Sequence, residues 1–149
     1  KVTRFDYQAY KAQALDPKLV YDEFRADLDN PNYRIVFHGG HRFDVYVLAT
    51  WERALGITPD FSYLLRTIDT NALCKAIIKN WTPDVSSPEA FLAWQYQCHS
   101  HVERGLKTNL TAMAKARSID HDYGTTHDAG SDIRLMGKVF SKVLFELEF

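Results

Sequence analysis

The stretch at residues 34–56 limits most strongly what this chain can fold into. It reads RIVFHGGHRFDVYVLATWERALG, a β-rich run that stops at Gly39 and Gly40 and gives way to an amphipathic helix. Residues 34–37 are predicted to form a buried strand, and Gly56 is predicted to close the helix. Because glycine weakens the end of a strand, the pair also indicates close approach by another backbone or by a ligand.

The helix after this strand carries an acidic residue in its first turn. Asp44 lies there, at a position that the helix dipole favours for a carboxylate. Apolar residues recur at helical spacing and predict the buried face, which comprises Phe43, Val47, Trp51 and Leu55. Phe43 and Trp51 are accordingly interpreted as core residues.

The same periodicity predicts the remaining elements. A second short strand is expected at 66–69, and further helices are expected at 17–29, 70–80, 88–102, 109–116 and 128–147. On the last helix the predicted inward residues are Ile133, Met136, Phe140, Val143 and Leu147. The chain is thus predicted to be one helix-rich α/β domain over residues 1–149. Two strands are too few for a complete sheet, so we expect an N-terminal part of the domain to precede residue 1.

Composition excludes several classes of protein. The net charge is −1, which argues against a large non-specific DNA-binding surface but permits a cleft in which metal ions supply positive charge. Two cysteines are too few for a disulfide framework and indicate a reducing cytosol, so a cytoplasmic location is expected. No apolar run reaches membrane-spanning length.

A second polar cluster lies at residues 126–144, which read THDAGSDIRLMGKVFSKVL. His127 is placed at the mouth of the predicted last helix, and Asp132 lies about one turn further in. The simplest interpretation is that Thr126 or Asp128 caps the helix and that the other polar residues are surface. The alternative is that an imidazole and a carboxylate serve chemistry there.

Together the two stretches resemble the second and third motifs of the DEDDh 3′–5′ exonucleases, the DnaQ-like branch of the ribonuclease H-like superfamily. In the second motif a strand ends at a polar pair and Phe-Asp follows at a helix start, as Phe43 and Asp44 do here. In the third, four residues separate a His from an Asp, as between His127 and Asp132. The resemblance covers roughly residues 19–147. It implies a ribonuclease H-like fold, with a mixed sheet flanked by helices.

Two departures from the family pattern matter. A glycine, Gly39 or Gly40, replaces the asparagine of the second motif, which removes a hydrogen bond to substrate or to a ligand rather than the metal site itself. The first motif, Asp-x-Glu on the first strand, has no counterpart in these residues. We expect it, with the first strands, to lie upstream of Lys1.

The resemblance also implies a chemistry. Asp44 and Asp132 would be metal ligands, Asp44 directly or through water, for two Mg²⁺ or Mn²⁺ ions in the intact site. His127 would be the general base that takes a proton from the attacking water. The implied function is hydrolysis of DNA or RNA from a single-stranded 3′ end, which releases nucleoside monophosphates. A polymerase or another domain in the parent chain is the implied partner, and no membrane is involved.

Other interpretations stay open at this point. The chain could be an inactive fragment, or a nucleic-acid-binding module with an incomplete metal site. Zinc at Cys98, His99 and His101, with His38 and His41, is less favoured because residues 99 and 101 point about 200° apart on a helix. The tyrosine variant of the family is rejected, since Tyr123 has the wrong spacing to Asp128 and Asp132. No P-loop, dinucleotide or nucleophile-elbow motif occurs.

Overall fold

A computed structural model describes residues 6–125 and 128–147. The chain divides into two compact units, Lys1–Tyr33 and Arg34–Phe149, which are described separately. The first unit, described from residue 6 onward, contains two helices there, α1 (Tyr7–Gln13) and α2 (Pro17–Asp29). Helix α2 begins as predicted, because the Asp16 carboxylate accepts hydrogen bonds from the first-turn amides and proline follows it. Helix α1 was not predicted from the sequence.

In its described residues, 34–125 and 128–147, the second unit contains a two-stranded sheet and five longer helices. Its elements are β1 (Ile35–Phe37), α3 (Asp44–Ala54), β2 (Thr67–Asp69), α4 (Thr70–Lys79), α5 (Pro88–Ser100), α6 (Leu110–Ala116) and α7 (Ala129–Val143). Short 3₁₀ helices occur at Gly40–Arg42, Ser62–Arg66 and Tyr123–Thr125. The predicted strands and helices are therefore confirmed within a few residues at each end.

The sheet consists of β1 and β2, which pair in parallel. Ile35 lies opposite Thr67, and Phe37 lies opposite Asp69. Parallel pairing requires a crossover between the strands, and α3 with the following 3₁₀ helix supplies it. The α/β class is confirmed. Within residues 6–125 and 128–147 the pairing is parallel only, and the ribonuclease H-like arrangement with a mixed sheet stays a prediction.

Gln95 of α5 occupies the other edge of β2. Its Oε1 accepts a hydrogen bond from the Asp69 amide at 2.6 Å, and its Nε2 donates to the Thr67 carbonyl at 3.2 Å. All three residues are buried. One side-chain amide thus satisfies the two backbone groups that a neighbouring strand would otherwise pair.

The main core lies among α4, α5, α6 and α7. Its buried members are Ala72, Leu73, Cys74, Ala76, Trp94, Cys98, Met113, Ala114, Ile119, Leu135, Val139 and Val143. Helix α4 contributes a nearly continuous buried run because it contacts both α5 and α7. On α7 the predicted inward position of Val143 is confirmed, and the predicted Phe140 and Leu147 pack against this core. Leu135 and Val139 are also buried but were not predicted, whereas the predicted Ile133 is 63% exposed.

The predicted face of α3 was wrong. Val45, Leu48, Ala49 and Glu52 point inward instead. Phe43, interpreted as a core residue, is 68% exposed, and Trp51 is only half-buried. Both helices carry apolar residues on more than one face, so periodicity alone could not fix which stripe the domain covers.

Candidate functional site

Asp44 begins α3 at the carboxyl end of β1. Between the strand and the helix, the chain turns through Gly39, whose φ of 78° is a left-handed conformation that favours glycine. The 3₁₀ helix Gly40–Arg42 follows, and α3 begins at Asp44. In parallel α/β sheets, ligands bind outside the carboxyl ends of the strands, so Asp44 occupies a position suited to a site.

Gly40 is required by close contacts within this turn. A Cβ atom added there would lie 2.5 Å from Cδ2 of Phe37 and 2.8 Å from Oδ2 of Asp44. Neither distance is tolerable for a side-chain atom. The turn therefore excludes a side chain as large as asparagine at Gly40. It also places the Asp44 carboxylate directly over the glycine backbone.

The electrostatic setting of Asp44 disfavours its negative charge. Although the residue is exposed, partial burial of its carboxyl group raises its pKa above the usual value, and the nearby charge of Asp69 raises it further. Within the described residues, no donor makes a hydrogen bond to this carboxylate. A bound cation would relieve both effects, and carboxylate oxygen suits hard ions such as Mg²⁺ and Mn²⁺.

The Asp69 carboxylate accepts hydrogen bonds from several segments around Asp44. The sequence did not indicate Asp69 as a site residue. Its Oδ1 accepts hydrogen bonds from the amides of Gly39 at 2.8 Å and Asn71 at 2.9 Å. Asp69 therefore caps α4 and stabilises the turn at Gly39 and Gly40, which we call the glycine turn. Its Oδ2 accepts from Nε2 of His99 at 2.9 Å. Burial would raise the pKa of Asp69, but the bond and charge of His99 and the backbone amides hold it below its usual value.

His41 lies beside Asp69 and is 1% exposed. Its Nε2 lies 2.8 Å from Oγ1 of Thr67, which donates its own hydrogen to the Leu64 carbonyl at 2.6 Å. The hydroxyl oxygen must therefore accept from Nε2–H of His41, which leaves Nδ1 unprotonated. That nitrogen is 3.7 Å from Oδ2 of Asp69 and has no hydrogen-bond partner. Burial lowers the pKa of His41 to about 4.

The structure separates the histidines that the zinc alternative grouped. His38 binds Thr70 and the carbonyl of Thr108 through its two ring nitrogens, both at 2.8 Å. His101 instead approaches Glu103, with Nε2 3.0 Å from Oε2. The divergence of His99 and His101 is confirmed, because His99 points inward to Asp69. Only His41 and His99 of that group meet, and they do so around a carboxylate that the grouping lacked.

Asp132 lies in the first turn of α7 and is half-buried. The helix cap is Asp128, whose carboxylate accepts a hydrogen bond from the Ser131 amide at 2.9 Å. The capping interpretation is therefore confirmed for Asp128, and Asp132 is not needed for it. Asp44 and Asp132 lie on different helices, and their approach across a shared cleft stays a prediction. His127 lies outside the described residues.

The imidazole of His121 lies near the start of α7. Nε2 of His121 is 3.2 Å from Oγ of the buried Ser131, so His121 contacts the first turn of the helix. Sequence reasoning did not consider His121, because its spacing to Asp132 matches no motif of the family.

Comparisons with protein-family models, with curated proteins and with solved structures found no match for this chain. None of the helices in the described residues is long and apolar enough to cross a membrane. The resemblance to the DEDDh exonucleases consequently stays a prediction that depends on the residues themselves.

Proposed function

We propose that this chain carries part of a metal-dependent 3′–5′ exonuclease site, in which Asp44 and Asp132 hold Mg²⁺ or Mn²⁺. The observation that carries the proposal is the Asp44 carboxylate. It stands at the carboxyl end of a parallel strand, without a hydrogen-bond donor among the described residues, and with its pKa raised by burial and by Asp69. An anionic oxygen kept uncompensated in this way fits a cation better than it fits a helix cap.

The proposed residues have two roles in phosphodiester hydrolysis: the aspartates bind the metal ions, and the histidine accepts a proton. When bound, a pair of divalent ions activates the attacking water and stabilises the charge that develops on the phosphate and on the leaving oxygen. Asp44 and Asp132 would bind and place those ions, and the ribonuclease H-like topology would bring the two helix starts together. His127 would accept the proton of the water, since a neutral imidazole is available for this near pH 7.

The proposed substrate is a single-stranded 3′ end of DNA or RNA, with nucleoside monophosphates as products. Its recognition in the cytoplasm, beside a polymerase or another domain of a parent chain, belongs to the same proposal. Asp44 and Asp132 supply only part of the acidic set that the family resemblance implies, because no Asp-x-Glu pair occurs in the 149 residues. This favours one second candidate, a nucleic-acid-binding module whose metal site is incomplete.

Degradation of labelled oligonucleotides tests the proposal. Single-stranded DNA and RNA carrying a 5′ label are incubated with Mg²⁺ or Mn²⁺ and the full-length parent protein, which is proposed to supply the rest of the site, and the products are separated by length. We expect stepwise shortening from the 3′ end that a chelator stops. Asp132→Asn should nearly abolish it, and His127→Ala should slow it by about 10²–10⁴-fold, the usual contribution of a positioned general base. Asp120→Asn, at an exposed position, is the matched control.

The outcomes separate the two candidates. Metal-dependent oligonucleotide binding without cleavage would favour the binding module over the exonuclease. Cleavage that persists in Asp132→Asn would contradict the assignment of that carboxylate as a ligand.

A further inference from the structure

A second set of potential metal ligands lies inside the domain, in contact with the glycine turn. One nitrogen of His41, one oxygen of Asp69 and one nitrogen of His99 lie within 4.8 Å of one another. The three residues are at most 3% exposed. They come from three separate segments: the 3₁₀ helix Gly40–Arg42, the end of β2 and the last turn of α5. Any ion held among them would join those segments.

The unpartnered nitrogen of His41 is the observation that points to a ligand. Its Nδ1 lone pair faces Oδ2 of Asp69 at 3.7 Å, so two electron-rich atoms approach each other with no hydrogen between them. It is the one buried side-chain nitrogen or oxygen in residues 6–125 and 128–147 that lacks a hydrogen-bond partner. A buried acceptor without a partner costs free energy, and a cation placed between the two atoms would remove that cost.

We propose that His41, Asp69 and His99 form a buried site for one transition-metal ion of the Zn²⁺ class, in addition to the ions proposed at Asp44 and Asp132. Two imidazole nitrogens and one carboxylate oxygen are donors that suit Zn²⁺, Co²⁺, Ni²⁺ or Cu²⁺, whereas Mg²⁺ and Ca²⁺ prefer oxygen alone. The site shares no ligand with the exonuclease proposal, but a cation there would offset the negative charge of Asp69 that acts on Asp44.

Two of the three distances between the ligand atoms are close to those around a small ion. Zinc bonds of about 2.0–2.1 Å in a tetrahedral site place ligand atoms about 3.3 Å apart. Oδ2 of Asp69 lies 2.9 Å from Nε2 of His99 and 3.7 Å from Nδ1 of His41, on either side of that value. The nitrogens of His41 and His99 lie within 4.8 Å of each other, so the two imidazoles would close by up to about 1.5 Å around Oδ2 of Asp69 to bind the ion.

Two of the three ligand atoms now bond each other: Oδ2 of Asp69 accepts from Nε2 of His99 at 2.9 Å, and it also accepts from the His41 amide at 3.4 Å. An ion would replace the bond between Asp69 and His99. Oδ1 of Asp69 is the atom that accepts from Gly39 and Asn71, so Oδ2 can bind an ion while the turn and the helix cap stay intact. His41 keeps its Nε2–H bond to Thr67 and uses only the unpartnered nitrogen. His99 would transfer its ring hydrogen from Nε2 to Nδ1, the ordinary change between the two neutral tautomers.

Burial implies that the ion enters during folding. A site closed from solvent on all three residues exchanges slowly once formed, and ligands from three segments meet only in the folded chain. We expect the ion to stabilise the contact between α5, β2 and the glycine turn. Protein refolded with Zn²⁺ should therefore melt at a higher temperature than protein refolded with a chelator.

Metal analysis of refolded protein tests this site. The protein is refolded with Zn²⁺ or Co²⁺ in excess Mg²⁺, dialysed, and analysed for bound metal and for Co²⁺ absorption in the visible region. Wild-type protein should retain one ion per chain. His41→Gln keeps a donor for Thr67 but removes the Nδ1 ligand, and His99→Asn removes Nε2. Each should weaken binding by more than about 100-fold, the upper range for loss of a mere outer partner.

The matched control is His101→Ala, two residues after His99 and directly after α5. This variant should bind Zn²⁺ or Co²⁺ as the wild type does. Retention of the ion by His41→Gln would overturn the proposal, as would wild-type protein that retains none. If a variant fails to fold, the Co²⁺ form of the wild type decides instead. Two paramagnetically shifted imidazole N–H signals would support the site. The absence of such signals would refute it.

Discussion

Replacing Gln95 by leucine removes the side chain that completes the outer edge of β2. The Asp69 amide and the Thr67 carbonyl would each lose a hydrogen-bond partner, at present 2.6 Å and 3.2 Å away. Because Gln95 and Asp69 have no exposed surface and Thr67 has 2%, water cannot replace the lost bonds without opening the structure. Leucine has a similar size, so the change tests hydrogen bonding rather than cavity formation.

The cost follows from the two groups left unpaired. Each buried group that loses its partner costs about 1–3 kcal/mol, and burial of an apolar leucine returns part of that amount. We expect a net loss of about 2–4 kcal/mol in the free energy of unfolding, against a total of about 5–15 kcal/mol for an ordinary domain. For a chain of this length, the melting temperature should fall by about 5–15 °C.

Urea unfolding followed by tryptophan fluorescence measures this loss, because Trp94 belongs to the main core. Gln97→Leu, at an exposed position on the same helix, is the control and should change the free energy of unfolding by less than about 0.5 kcal/mol. The slope of the transition should be unchanged in both variants. A Gln95→Leu protein within 1 kcal/mol of the wild type would refute the assignment of Gln95 as a substitute for a neighbouring strand.

Three further predictions concern the turn, the buried imidazole and the thiols. Gly40→Ala should cost about 1–3 kcal/mol of stability and weaken Mn²⁺ binding, because the added methyl group would displace the Asp44 carboxylate; denaturation and calorimetry measure the two effects. Since burial lowers the pKa of His41 to about 4, the unfolded metal-free protein takes up a proton below pH 6.5 that the folded protein does not. Stability should then be lost as pH falls from 6.5 to about 4, by up to about 3 kcal/mol, and urea titrations should show a smaller loss in His41→Gln. Burial raises the pKa of Cys74 to about 12 and that of Cys98 to about 11, so a thiol reagent should label neither in native protein and both after unfolding.

Local signals in the sequence were enough to predict the element order of the second unit. Proline and aspartate at helix starts, glycine at turns and short β-branched runs act within a few residues, so β1, β2 and α3 to α7 could be located. The buried faces of the helices were predicted less accurately than the order of the elements. The exposed Phe43 and Ile133 lie beside inward residues that are equally apolar, and only tertiary packing selects between such stripes.

The buried cluster shows the same limit for the site. The sequence indicates His41 and His99 as possible ligands, but it predicts Asp69 only as the end of a strand, and Asp69 lies 30 positions before His99. The parallel pairing of β1 and β2 brings the three together, and no local spacing encodes that pairing. The sequence contains one local signal for this cluster, the aspartate just before α4. This aspartate predicts a helix cap, but it does not predict that His99 also bonds to the carboxylate.

A Mn²⁺ titration by calorimetry, on wild type and on single variants, tests most directly whether Asp44 and Asp132 hold the same ions. Either Asp44→Asn or Asp132→Asn should weaken Mn²⁺ binding by more than about tenfold, because each removes a charged oxygen ligand from a shared site. His127→Ala should bind Mn²⁺ nearly as the wild type does, since the imidazole is proposed to move a proton and not to hold metal. Binding that both aspartate variants leave unchanged would contradict the account, and equal loss in His127→Ala would make that residue a ligand instead.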